Sequence, residues 1–209
     1  MRHLKILGLA AIAAMALTAF LGVGTAGASS LNVRSHSTSL PVGTVISASL
    51  ETSESTRFED SFGLTSTTCT GSSLSGVLSR TTQGFQPPST STGQPTGSLS
   101  VLTFSGCLHT VHVRSRGGLE IRNIAGTTNG TVFSEGMEVT KFNTLLNQSC
   151  LAATGLGTDI GTLTGATTTS SMATIDINGL IPLSECSAAN ARWTGKYWVT
   201  SPLGLVSEP

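Results

Sequence analysis

ARWTGKYWVTS, residues 191–201, decides how the chain is read. Trp193, Tyr197 and Val199 share one parity, and Arg192, Lys196 and Trp198 share the other. A period of two puts successive side chains on opposite faces of a strand, whereas a helix face repeats every three or four residues. One face is expected in a core and the other in solvent. The pattern recurs upstream. Ile46, Ala48 and Leu50 alternate in VGTVISASL, and Leu119 and Ile121 oppose Glu120 and Arg122. Met137 and Val139 oppose Glu138 and Thr140, and Ala173, Ile175 and Ile177 oppose Thr174 and Asp176. Between the runs stand Gly117-Gly118, Asn129-Gly130, Asn178-Gly179 and Pro182, which read as hairpin turns because Gly and Asn accept a positive φ cheaply. About ten short strands, each of roughly five to seven residues, predict a mainly β, single-domain antiparallel β-sandwich or β-barrel. Only KFNTLLN, with Phe142, Leu145 and Leu146, has helical spacing.

The first 28 residues read differently. Arg2, His3 and Lys5 precede an apolar run from Ile6 to Val23, and Ala26-Gly27-Ala28 follows with small side chains. That is the pattern of a signal peptide cleaved after Ala28. No twin arginine and no cysteine near the cleavage point argue for another route, so export by the Sec pathway is expected, to the extracellular space or the cell envelope. Residues 29–39 read as an extended N-terminal segment, and 40–209 as the β domain. Within it, TTQGFQPPSTSTGQPTG at 81–97 is a long Pro/Gly/Ser/Thr loop.

Charge narrows the function classes. Of eleven basic residues, Arg2 and Lys5 leave with the leader, so nine face eleven acidic ones and the net charge is −2. No basic patch points to nucleic acid, and no charge block points to disorder.

Four cysteines remain, Cys69, Cys107, Cys150 and Cys186. An even count in an exported chain favours two disulfides, and the wide spacing without C-x-x-C disfavours a metal site. Three pairings exist; Cys69–Cys107 with Cys150–Cys186 is preferred, since each bond then closes one half of the chain.

The densest cluster of reactive side chains is CLHTVHVRSRGG, 107–118. Read as a strand, it sends Cys107, His109, Val111 and Val113 to one face and His112, Arg114 and Arg116 to the other. His109 and His112 therefore diverge and do not chelate. No G-x-S-x-G elbow or S-x-x-K motif selects a nucleophile, and a hydrolase built from a serine, His109 and Asp159 or Asp176 has nothing to single it out. No catalytic residue, metal or cofactor is assigned. Trp198, beside Lys196 and Arg192 on the outward parity, is the candidate ligand-contact surface, with His112, Arg114 and Arg116 as a second basic face.

The leader, the TCTGSSLSG run at Thr68–Gly76 and the closing WTGKYWVTSP resemble a group of small exported actinobacterial proteins, mostly uncharacterised. The resemblance covers much of the mature chain and implies a Gram-positive source and locale, with no catalytic residues to carry over. The expected function is a secreted or envelope-associated, non-catalytic β domain that binds a cell-wall glycan, an envelope lipid or a surface protein. A channel or insertion protein of an outer mycomembrane is the alternative, disfavoured by disulfides and by strands shorter than a span requires. A secreted hydrolase is third.

Overall fold

A computed structural model describes residues 32–35, 38–61, 66–79, 96–143, 148–167, 170–186 and 188–208. Among them are fifteen strands and no helix: β1 (Asn32–Ser35), β2 (Thr38–Ser39), β3 (Val45–Leu50), β4 (Thr56–Asp60), β5 (Ser66–Ser79), β6 (Thr96–Cys107), β7 (Val111–Ser115), β8 (Gly118–Asn123), β9 (Gly130–Glu135), β10 (Glu138–Asn143), β11 (Gln148–Ala153), β12 (Thr158–Thr164), β13 (Thr174–Ser184), β14 (Asn190–Ser201) and β15 (Leu205–Glu208).

Eight of these close an antiparallel barrel in the cyclic order β3-β5-β6-β8-β9-β12-β13-β14, returning to β3. Of the two expected architectures, the barrel is the one formed. Closure comes from β3, whose Ala48 is register partner of Leu74 on β5 and of Val199 on β14. Strand β4 continues the same stave, because it too lies between β5 and β14. Residues 51–55 loop out between the two. Closure removes the two outer edges that an open sheet of these eight strands would have.

The parity of 191–201 sets the inside. Trp193, Tyr197 and Val199 are at most 2% exposed and meet Ala48, Phe58, Leu74, Leu102, Ile175 and Ile177 in a single core. Phe58 stacks on Trp193 with ring centroids 5.6 Å apart, and Phe104 meets both edge-on. The polar tips of the inward rings find a partner in Thr56. Its Oγ1 accepts Trp193 Nε1–H at 2.8 Å, lies 3.3 Å from the Tyr197 hydroxyl and donates to the Thr194 carbonyl at 3.0 Å. Tyr197 also bonds Ser72 at 3.0 Å. A buried hydroxyl or indole N–H without a partner costs roughly 1–3 kcal/mol, so this network is part of what makes the interior tolerable.

Several strands are longer than expected, with β5, β6, β13 and β14 running 14, 12, 11 and 12 residues. β13 passes straight through Asn178-Gly179 and Pro182, which are not turns. Nine consecutive residues pair with β14, from Thr174↔Trp198 to Pro182↔Asn190, and that ladder outweighs the local turn preference. Gly179 is needed for close approach, since a Cβ there would lie 2.6 Å from Ile160 Cα. Pro182 falls where β13 has no register partner on its other side, β12 ending at Ile177 and β11 starting at Leu183. The other two glycine signals do mark turns: Gly117 takes φ +65° between β7 and β8, and Ile124 N–H donates to Asn129 O in the loop before β9.

A second layer, β7-β10-β11, joins the barrel through β13 and turns Val111, Val113, Val139 and Ala152 toward the core. Lys141–Asn143 lie in β10, paired with β11 throughout and, at Lys141, with β7 as well, so no helix starts there; Leu145 and Leu146 lie outside the described residues. The N-terminal segment is not merely extended. β1 pairs with β15 and β2 in a third sheet, register Asn32↔Glu208 to Ser35↔Leu205. The leader, His36 and 81–95 lie outside the described residues, while Thr96 and Gly97 begin β6 rather than ending the loop.

Candidate ligand-contact surface

The outward parity of β14 and β13 forms one continuous patch. Arg192, Lys196 and Trp198 project from β14, and their neighbours on β13 are Leu180, Asp176 and Thr174. Trp198 is 38% exposed and is the one aromatic among the exposed large apolar side chains of the described residues. Its other register partner is Ser49 on β3, so a serine and a threonine flank the ring.

Both cations near Trp198 are already engaged. Lys196 Nζ lies 3.3 Å from Glu51 Oε2, and Arg192 Nη1–H donates to Asn178 Oδ1 at 2.8 Å. The excursion 51–55 explains the first contact, because it carries Glu51 and Glu54 over the outside of β14. Between that excursion and β13 runs an open groove of about 290 Å3 lined by Glu54, Ser55, Asp176, Asn178, Thr194 and Lys196. ETSESTRFED, residues 51–60, divides into that excursion and strand β4, with Phe58 buried.

The second basic set is elsewhere. Cys107 ends β6 and residues 108–110 intervene before β7, so 107–118 is not one strand. Within β7 the expected parity stands: Val111 and Val113 pack inward, while His112 and Arg114 are exposed, as is Arg116 beyond it. Three strands, β10, β11 and β13, separate β7 from β14, so the structure does not join this face to Trp198.

Cys69 and Cys107 are register partners on β5 and β6 and form a disulfide, as preferred from sequence. Cys150 and Cys186 are free thiols in hydrogen-bonding contact. Lys141, the register partner of Cys150, is buried beside them. Burial pulls the Lys141 ammonium below its ordinary value, against the opposing pull of Asp60, the two cysteines and Glu59. Burial also pushes the Cys150 thiol up to about 12, helped by its hydrogen bond with Cys186 and opposed by Lys141.

Among the described residues, no group of three or more His, Cys, Asp or Glu side chains is arranged to hold a metal. Asp159 bonds the Gly161 backbone N–H at 3.1 Å, and no ion pair joins His109 to Asp159 or Asp176 among the described residues. The fold and surface define a closed eight-stranded barrel with an apolar, filled interior and a polar exterior bearing one exposed tryptophan. No protein-family model, curated protein or solved structure matches the chain.

Proposed function

We propose that the protein is exported and acts at the cell envelope as a non-catalytic binding domain, taking a glycan on the outward face of β13 and β14 around Trp198. The observation that carries this reading is Trp198 itself. A large ring kept 38% exposed on a strand whose other aromatic side chains are fully buried has no packing reason to face out. An indole face flanked by hydroxyls suits stacking on a pyranose ring with hydrogen bonds at its rim. The buried apolar cluster inside the barrel and the open groove on its outer face support a ligand held outside.

The leader pattern and the resemblance to small exported actinobacterial proteins support the locale. The exterior weighs against the channel alternative. A spanning barrel carries an apolar band outward and polar groups inward; here Asp176, Asn178, Arg192 and Lys196 point out and isoleucine, leucine and tryptophan point in. Strand length does not weigh against the channel, since β5, β6, β13 and β14 run 11–14 residues.

The test is Trp198→Ala, assayed against purified wall polysaccharides, envelope lipid vesicles and solubilised surface proteins. Folding should be unchanged by circular dichroism, and polysaccharide affinity should fall by at least tenfold, the effect of losing one aromatic contact of about 1.4 kcal/mol. Equal affinity of both proteins for every polysaccharide tested would remove the proposal, and selective binding to vesicles or to a protein would redirect it.

A further inference from the structure

Two thiols, an amine and a carboxylate meet where the β7-β10-β11 layer rests on the barrel. Cys150 on β11 is buried, and Lys141 is its register partner on β10. Cys186 comes from the turn between β13 and β14, is half-buried, and hydrogen-bonds to Cys150. Asp60, at the end of β4, acts electrostatically on Lys141. Glu185, immediately before Cys186, holds φ +65°, a left-handed conformation that costs a residue with a Cβ about 1 kcal/mol or more. The turn is closed by Leu183 N–H donating to Ala189 O at 2.8 Å. Three stretches remote in sequence, around Asp60, Lys141–Cys150 and Cys186, thus converge on one dithiol, and the backbone presenting the outer thiol is strained.

We infer that Cys150, Cys186 and Lys141 form a thiol–disulfide exchange site, in which Cys186 is the entry thiol, Cys150 the resolving thiol and Lys141 the positioning residue for Cys150. The co-reactant is a small-molecule or protein disulfide. Cys186 thiolate attacks one sulfur of that disulfide; the bond between the co-reactant's sulfurs breaks, and one half departs as a thiol. Cys150 loses its proton and attacks Cys186 in the mixed disulfide. The second half departs as a thiol, leaving a Cys150–Cys186 cystine. Two electrons and two protons have passed from the protein to the co-reactant.

Exposure fixes this order, because the buried thiol cannot meet a bulky disulfide first. The Lys141 ammonium favours the Cys150 thiolate against the burial that disfavours it. The product cystine ties β11 to the β13–β14 turn, so it fastens the second layer to the barrel. Cys69–Cys107 has no such part, since both of its strands belong to the barrel.

The reduced full-length chain is mixed with oxidised glutathione, quenched with alkylating reagent at intervals, and mapped by mass spectrometry. A glutathione adduct should appear first on Cys186 and give way to the Cys150–Cys186 cystine. In Cys150→Ser the adduct on Cys186 should persist; in Cys186→Ser, Cys150 should stay unmodified over the same time. Lys141→Met should slow loss of the adduct about threefold, the net of a tenfold smaller thiolate fraction and a more nucleophilic thiolate, and Lys141→Arg should restore it. Hydrogen exchange on each variant confirms that the second layer stays docked. Modification of Cys150 at the wild-type rate in Cys186→Ser, or equal rates in Lys141→Met and Lys141→Arg, would overturn the assignment.

Discussion

Thr56→Val removes one hydroxyl from the barrel interior while keeping the shape of the side chain. Thr56 is fully buried, and its Oγ1 holds Trp193 Nε1–H, the Tyr197 hydroxyl and the Thr194 carbonyl together at 2.8, 3.3 and 3.0 Å. Tyr197 retains Ser72 at 3.0 Å, so its loss is small. Trp193 is 2% exposed and loses its 2.8 Å partner, keeping only its contact with the Tyr197 hydroxyl, so much of the desolvation cost of about 1–3 kcal/mol falls on it. Adding roughly 1 kcal/mol for the remaining bonds gives about 3 kcal/mol in all. For a domain of this size that lowers Tm by roughly 6–12 °C. Urea unfolding of the oxidised protein, followed by tryptophan fluorescence, should show a lower midpoint with an unchanged m value. Ser72→Ala should cost less, about 1 kcal/mol, because Tyr197 keeps Thr56. A Thr56→Val loss below about 0.5 kcal/mol would refute the hub, since the indole N–H would then have found another partner.

Two further expectations follow from single residues. Gly179→Ala should destabilise by about 2–3 kcal/mol in urea titrations, because its Cβ would press on the Ile160 and Asp159 backbone at 2.6 and 3.0 Å, and neither can yield like a flexible side chain. Burial raises the Tyr197 phenol above its ordinary value, opposed by Ser72, Thr56 and Trp193. The folded state thus holds that proton more tightly than the unfolded chain. Its contribution to stability is whole below about pH 10 and is lost as pH rises through the folded value. Tyr197→Phe should flatten the alkaline fall in stability; an identical fall in both proteins would contradict this.

The faces of individual strands were legible because period two acts within a few residues. Trp193, Tyr197 and Val199 enter the core and Trp198 leaves it, as their parity requires. β7 likewise separates its valines from His112 and Arg114. The same rule, applied without interruption, would have carried β13 through Asn178-Gly179, since Ile175, Ile177, Gly179 and Ile181 keep one phase across it. The turn reading failed because a local preference for Asn-Gly is weaker than nine paired residues against β14. Closure was not legible. Whether β3 ends as an edge or meets both β5 and β14 depends on contacts 24 to 154 residues away, and Ser/Thr-rich outer faces carry no mark of register. Thr56 was hidden for a similar reason. One threonine among many becomes a hub only when Trp193 and Tyr197, 137 and 141 residues on, arrive above it. Two inward rings with polar tips were the available signal, because buried Trp and Tyr call for a hydroxyl or carbonyl nearby. Beside Trp198, the contacts of Lys196 with Glu51 and of Arg192 with Asn178 were not legible, because Glu51 lies about 145 residues away and Asn178 sits on the neighbouring strand.

Ala48 tests most directly whether the barrel is closed around its apolar core. Nuclear Overhauser contacts in the labelled protein should connect Ala48 backbone protons to Leu74 on one side and to Val199 on the other, with the β3 amides protected from exchange on both. Contacts to one neighbour alone, with freely exchanging amides along the other edge of β3, would make the sheet open and contradict the account.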